Sequence, residues 1–88
     1  MSNDTQLESI GETLCIFIRS HLVESGIPVH PATPLSELGL DSFSLIEIVL
    51  FVERRYGLAL PDEALTFENL HSPDALARCI QGYLEKNL

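Results

Sequence analysis

Leu38-Gly39-Leu40-Asp41-Ser42-Phe43 is the stretch on which the reading of this chain turns. It follows a loop holding Pro28, Pro31 and Pro34 and precedes an apolar run from Leu45 to Tyr56. Asp41 suits a helix N-cap: its carboxylate can accept from the free N–H groups of the first turn, and it complements the positive end of the helix dipole. Ser42 then falls at the first helical position, with its hydroxyl outside the turn. A phosphate ester there lies near unpaired N–H groups and the positive helix end, a favourable place for an anion. The position suits a serine that is to be modified.

Working outward, the helix from about Ser42 to Tyr56 is apolar on more than one face. Leu45, Ile48, Val49, Val52 and Tyr56 make one stripe at helical spacing, assigned to the core. Phe43, Ile46, Leu50 and Phe51 make a second, flanked by Glu47, Glu53 and Arg54. In a chain of 88 residues one helix can hardly be covered all round. The second stripe is therefore expected to be an exposed partner-binding face. Gly57 closes the helix, and Leu58-Ala59-Leu60 crosses back apolar.

Toward the N-terminus, residues 1–4 are expected to fray. Thr5-Gln6-Leu7-Glu8 fits a capping box with Thr5 as the cap. Leu7, Ile10, Leu14, Phe17, Ile18 and Leu22 then recur at helical steps, and Gly26 is expected to end that helix. The prolines exclude a continuous helix between Ile27 and Leu40, although Leu35 and Leu38 can form one turn that buries both. Toward the C-terminus, Pro61-Asp62-Glu63 can start a short helical turn. Thr66 to Leu70 reads as a short third helix or turn with Phe67 and Leu70 partly packed. Ser72-Pro73-Asp74 is a start signal for a last helix with an apolar stripe of Leu76, Cys79, Ile80, Tyr83 and Leu84. The expected fold is all-α, roughly a four-helix bundle: three main helices, one short third helix and a long first loop. Residues 1–88 are expected to form one domain.

Composition narrows the function. Thirteen acids against five Lys and Arg give a net charge of −8, which argues against nucleic acid and anionic membrane surfaces and for partners with basic patches. No stretch approaches the roughly 18 apolar residues of a membrane span. Cys15 and Cys79 have no metal or redox spacing and suit small core positions in a reduced cytoplasm. His21, His30 and His71 fall in no hydrolase motif, and there is no G-x-S-x-G, P-loop or zinc spacing. Ser42 is thus not expected to be the nucleophile of an enzyme, and no metal site is expected.

LGLDS at 38–42, the apolar helix carrying Glu47 and the run Leu58-Ala59-Leu60-Pro61-Asp62-Glu63 together resemble an acyl carrier protein, a phosphopantetheine-binding carrier. The resemblance is firm from about Pro34 to Leu84. It implies an acyl-carrier-like bundle and a 4′-phosphopantetheine arm, taken from coenzyme A, on Ser42, with Asp41 serving as helix cap and in recognition by the phosphopantetheinyl transferase. It implies that Phe43, Ile46, Glu47, Leu50, Glu53 and Arg54 meet partners: acyl-loading, ketosynthase-type and other acyl-processing enzymes. The family stores its acyl chain between the helices, where Val49, Val52, Leu60, Leu70 and Leu76 are expected by position; plain core packing explains the same residues.

The chain also departs from the pattern. Carriers of primary fatty-acid synthesis usually show Leu and then an acid after the serine, and an acidic far end of the helix. Here stand Phe43, Ser44 and the basic pair Arg54-Arg55. That points to a specialised pathway, such as polyketide or another dedicated acyl chain, served by a monomeric carrier. Two alternatives stay open: a peptidyl or aryl carrier loaded by an adenylating enzyme, and an unmodified helical interaction module.

Overall fold

Ile10, Leu14, Cys15 and Ile18 recur on one side of the first helix and are all buried, which fixes its inner face. The computed structural model describes residues 3–86. Its helices are α1 (Asn3–His21), α2 (Ser42–Tyr56) and α3 (Pro73–Lys86), with 3-10 turns at Leu35–Leu38 and Asp62–Ala64. α1 packs chiefly on α3 and more lightly on α2. Ile48 and Val52 of α2 and Leu76, Ala77 and Ile80 of α3 close the core, and Val29, Leu35, Leu58 and Leu60 plug it from the connections. Each fully buried aliphatic side chain stabilises the fold by about 1.5–3 kcal/mol relative to its exposed state. No strand occurs among the described residues, so the all-helical, carrier-like architecture is as expected.

Several boundaries differ from the sequence expectation. α1 reaches back to Asn3, so Thr5 lies within the helix and is not its cap, and Asn3 and Asp4 are helical; Met1 and Ser2 lie outside the described residues. α1 also ends at His21, before Gly26. Gly26, at φ +93, serves instead a later turn closed by the Ile27 N–H donating to the Glu24 carbonyl. That earlier exit lets Leu22 and Val23 lean on the core and delivers Val29, 1% exposed, into it.

The short third element is the 3-10 turn at Asp62–Ala64, while Thr66 to Leu70 forms turns only. There the Thr66 hydroxyl accepts from the Asn69 N–H at 3.1 Å, and Asn69 Nδ2 donates to the Ala64 carbonyl at 2.7 Å. These side-chain bonds compete with helix continuation. Phe67, expected to be partly packed, is 94% exposed because this turn throws it outward. Phe51, grouped with the outer stripe of α2, instead stacks on Phe17 of α1 with ring centroids 4.2 Å apart. Ring stacking of this kind adds about 0.5–1.5 kcal/mol to simple burial. Cys15 and Cys79 are both free thiols, and burial pushes both upward from the ordinary thiol range.

α3 starts as its residues dictate: the Ser72 hydroxyl accepts from the Ala75 N–H at 3.2 Å, with Pro73 as first helical residue. Two backbone bonds then tie the long first loop to this start. The Leu35 N–H donates to the His71 carbonyl and the Asp74 N–H to the Pro31 carbonyl, both at 2.8 Å. They hold the approach to Ser42 against a rigid helix.

Candidate functional site

The chain arrives at Ser42 through a stiff approach. Leu35, 3% exposed, anchors the first 3-10 turn in the core, and Gly39 at φ +71 reverses the chain after it. A left-handed residue is required there, and glycine takes it without a Cβ clash. Asp41 is extended and caps α2: its Oδ1 accepts from the Ser44 N–H at 2.9 Å, and its carbonyl accepts from the Leu45 N–H at 3.1 Å. The Ser44 N–H, helped by the Ser44 hydroxyl, holds the Asp41 carboxyl below its ordinary range. Ser42 follows as the first residue of α2, exposed to solvent. A phosphodiester on its oxygen would meet the positive end of a fifteen-residue helix.

The outer face of α2 presents Phe43, Ile46 and Leu50, which are 68%, 54% and 50% exposed. Glu47 lies half-buried beside this stripe, and Arg54 and Arg55 are exposed at its far end. Glu53 stands apart from them. Its carboxylate accepts from the Leu60 N–H at 3.0 Å, and its carbonyl accepts from the N–H groups of Gly57 and Leu58. Glu53 therefore ties off the end of α2 and the returning strand of chain, a task that no local pattern announces.

Two adjoining apolar grooves open beside Ser42. One, of about 350 Å³, runs between Leu35, Ser36 and Leu40, the start of α2 at Leu45, and Leu65, Phe67, Leu70 and His71. The other, of about 200 Å³, continues along α2 past Ile46, Val49 and Leu50, sharing Leu45, Leu65 and Leu70. Of the residues expected to line an acyl pocket, Val49 and Leu70 are found here. Val52, Leu60 and Leu76 lie in the core at 0%, 7% and 1% exposure. Sequence reasoning missed Leu40 and Leu65 as groove walls; Leu40 and Leu45, placed on either side of Ser42, were the available signal. Among the described residues no group of three or more His, Cys, Asp or Glu is placed to hold a metal ion, and no helix is long and apolar enough to cross a membrane.

The site is thus an exposed hydroxyl at the capped start of a helix in a small helical domain. Residues 18–80 match the family model described as phosphopantetheine attachment site. Aminoacyl carrier protein 2 of Bradyrhizobium diazoefficiens is 38% identical over 69 residues, covering 76% of this chain and 78% of that protein. The mitochondrial acyl carrier protein of Dictyostelium discoideum is 46% identical over 39 residues, covering 44% of this chain and 32% of that protein. A chain in the crystal structure of Bradyrhizobium japonicum glycine:[carrier protein] ligase complexed with glycylated carrier protein superimposes with a TM-score of 0.66 at 25% identity, over 86% of this chain and 99% of that chain. The chain belongs to the family of phosphopantetheine-binding carrier proteins. Its prosthetic group is 4′-phosphopantetheine, and the site described above fits it: an exposed primary hydroxyl, a positive helix end for the phosphate and an apolar groove alongside.

Proposed function

We propose that Ser42 bears the 4′-phosphopantetheine arm and that the chain carries a small carboxylic acid, foremost an amino acid, loaded by an adenylating ligase. The exposed Ser42 at the Asp41-capped start of α2 carries this proposal. On modification the Ser42 Oγ forms a bond to the β-phosphorus of coenzyme A. The pyrophosphate P–O bond breaks, adenosine 3′,5′-bisphosphate leaves, and the hydroxyl proton passes to a base of the transferase. Once bound, the arm supplies a terminal thiol that holds the cargo as a thioester. The chain's own residues do the rest: Asp41 fixes the helix start, α2 supports the phosphate end, and Phe43, Ile46 and Leu50 offer the apolar surface on which loading and consuming enzymes dock.

Two observations support amino acid over fatty acyl cargo. The relative matched over most of both chains is an aminoacyl carrier protein, and the structural match comes from a complex of a glycine ligase with a glycylated carrier. In addition, α2 carries Glu47, Glu53, Arg54 and Arg55, a net charge of zero in a chain of −8, so its exposed face is not an acidic docking stripe. The shorter match to a mitochondrial acyl carrier protein favours a second reading, in which fatty-acid or polyketide-type enzymes, ketosynthases among them, are the partners. In both readings the catalysis belongs to the partners. The free thiols suit a reducing compartment, and the cytoplasm is the proposed setting.

The test is intact-protein mass spectrometry after incubation with coenzyme A, magnesium and a broad-specificity phosphopantetheinyl transferase, with Ser42→Ala alongside. A gain of one phosphopantetheine on the wild type alone is expected; a gain that persists in Ser42→Ala, or none at all, refutes Ser42 as the site. Offering the modified protein ATP, a glycine-activating ligase and glycine, against an acyl-activating ligase and a fatty acid, then decides between the cargoes.

A further inference from the structure

Away from the grooves near Ser42, a separate concavity of about 200 Å³ opens between α1 and α2. It is lined by Thr13, Ile16, Phe17, Ser20 and His21 of α1 and by Phe51 of α2. Its floor is a stack of three rings, with Phe51 4.2 Å from Phe17 and Phe17 4.9 Å from His21, centroid to centroid. The stack joins the two helices, so the concavity is preformed. Ile16 stands on its wall and is 52% exposed. A single exposed isoleucine needs no explanation; set against an apolar concavity, it is a knob beside a hole. The charges around this face have an order of their own. Glu47 lies four residues before Phe51 and Arg55 four after, so the three share one row of α2 with the ring in the middle. Glu47 is half-buried, and Arg55 is exposed with its guanidinium over the Tyr56 ring, 5.7 Å from the centroid. Among the described residues neither Glu47 nor Arg55 has an ion-pair partner.

A face with an acid and a base at equal distances from an apolar centre is matched by its own copy after a half-turn, as a two-fold interface requires. We propose that this face pairs with a second copy of the chain. The two-fold axis passes beside Phe51, Glu47 of each copy meets Arg55 of the other, and Ile16 of each seats in the other's concavity. The charge of −8 does not oppose this locally, because α2, with two glutamates and two arginines, has no net charge. Charges elsewhere are screened beyond about 8 Å at physiological salt. The apolar patch is small, so the association is weak, with a Kd on the order of 0.1 mM. The expected monomer is then the dilute form. Ser42 precedes Phe51 by nine residues, about 13.5 Å along the helix, so the two serines stand roughly 27 Å apart at opposite ends of the paired helices, and both stay open. The pairing does not rest on Ser42 as the attachment site.

The experiment is sedimentation velocity on the intact chain from about 10 µM to about 1 mM at physiological salt. A weight-average mass that climbs from one copy toward two is expected. Glu47→Arg is the sharpest variant. It lowers the net charge from −8 to −6, which favours association if overall repulsion governs, yet it sets like charges across the axis. It is expected to weaken pairing about tenfold, and Arg55→Glu likewise. The double exchange, again at −8, is expected to restore the wild-type association to within about threefold. Ile16→Asp, at an exposed position, is expected to abolish it, and far-UV circular dichroism checks that each variant is folded. A wild-type chain that stays a single copy up to about 1 mM overturns the proposal and leaves the concavity to a different protein. Tighter association of Glu47→Arg, or a double exchange that restores nothing, overturns it as well.

Discussion

Glu53 offers a quantitative separation of structure from recognition. Its carboxylate accepts from the Leu60 N–H at 3.0 Å, and Leu60 is only 7% exposed. Glu53→Ala removes the acceptor and leaves that donor buried without a partner, at a cost of about 1–3 kcal/mol. The better helix propensity of alanine returns a few tenths of a kcal/mol, so a net loss of about 2 kcal/mol is expected. For a domain of this size that lowers Tm by about 8–16 °C. Glu53→Gln keeps a carbonyl oxygen in place and forfeits only the charge assistance, about 1 kcal/mol, or about 4–8 °C. Thermal unfolding followed by far-UV circular dichroism reads both values, and urea midpoints at unchanged slope check that the unfolded state has not moved. Well below Tm, attachment of the arm and loading of cargo should proceed at wild-type rates in both variants. Equal Tm values for the three proteins, or slowed loading without a change in Tm, would refute the reasoning and return Glu53 to the docking face.

Two further predictions concern charge. Asp41 has a folded-state pKa below its ordinary value of 3.8, so its contribution to stability is fully present above that value and is lost as pH falls through the lower folded value. Asp41→Asn, which keeps a capping oxygen, should flatten the acid limb of the stability profile, and a denaturation series against pH that superimposes on wild type would count against the cap. Reversing the exposed Arg54 and Arg55 to glutamate takes α2 from a charge of zero to −4, given its two glutamates and two arginines. A loading enzyme with the basic patches expected against a chain of −8 should then be drawn to this face more strongly, so kcat/KM for loading should rise severalfold at low salt, and the gap should narrow as salt rises. Equal rates at every ionic strength would remove these arginines from the docking surface.

What was legible in the sequence was what the chain decides within a few residues. Asp41 and Ser72 cap their helices through N–H groups three positions on, and Gly57 closes α2 over the turn just before it. Such pairs stand together in the sequence and need no tertiary context. Glu53 and Leu60 lie seven apart, while Leu35 meets His71 and Pro31 meets Asp74 across the fold, so nothing local signals them. Phe67 was misplaced for a related reason: hydrophobicity argued for burial, and the Thr66–Asn69 turn turned its side chain to solvent. Ser42 was read correctly as the start of a helix, whereas the groove near it, assembled from separate segments, required the fold.

The bonds from Leu35 to His71 and from Asp74 to Pro31 also bear on when this protein becomes competent during its synthesis. The serine and the helix it opens precede α3 in the chain and are synthesised first. Until residues 65–74 follow, the Leu35 N–H and the Pro31 carbonyl lack their partners, and the wall of Leu65, Leu70 and His71 is not built. A chain truncated before residue 71 therefore presents the serine without either of the bonds that hold its approach.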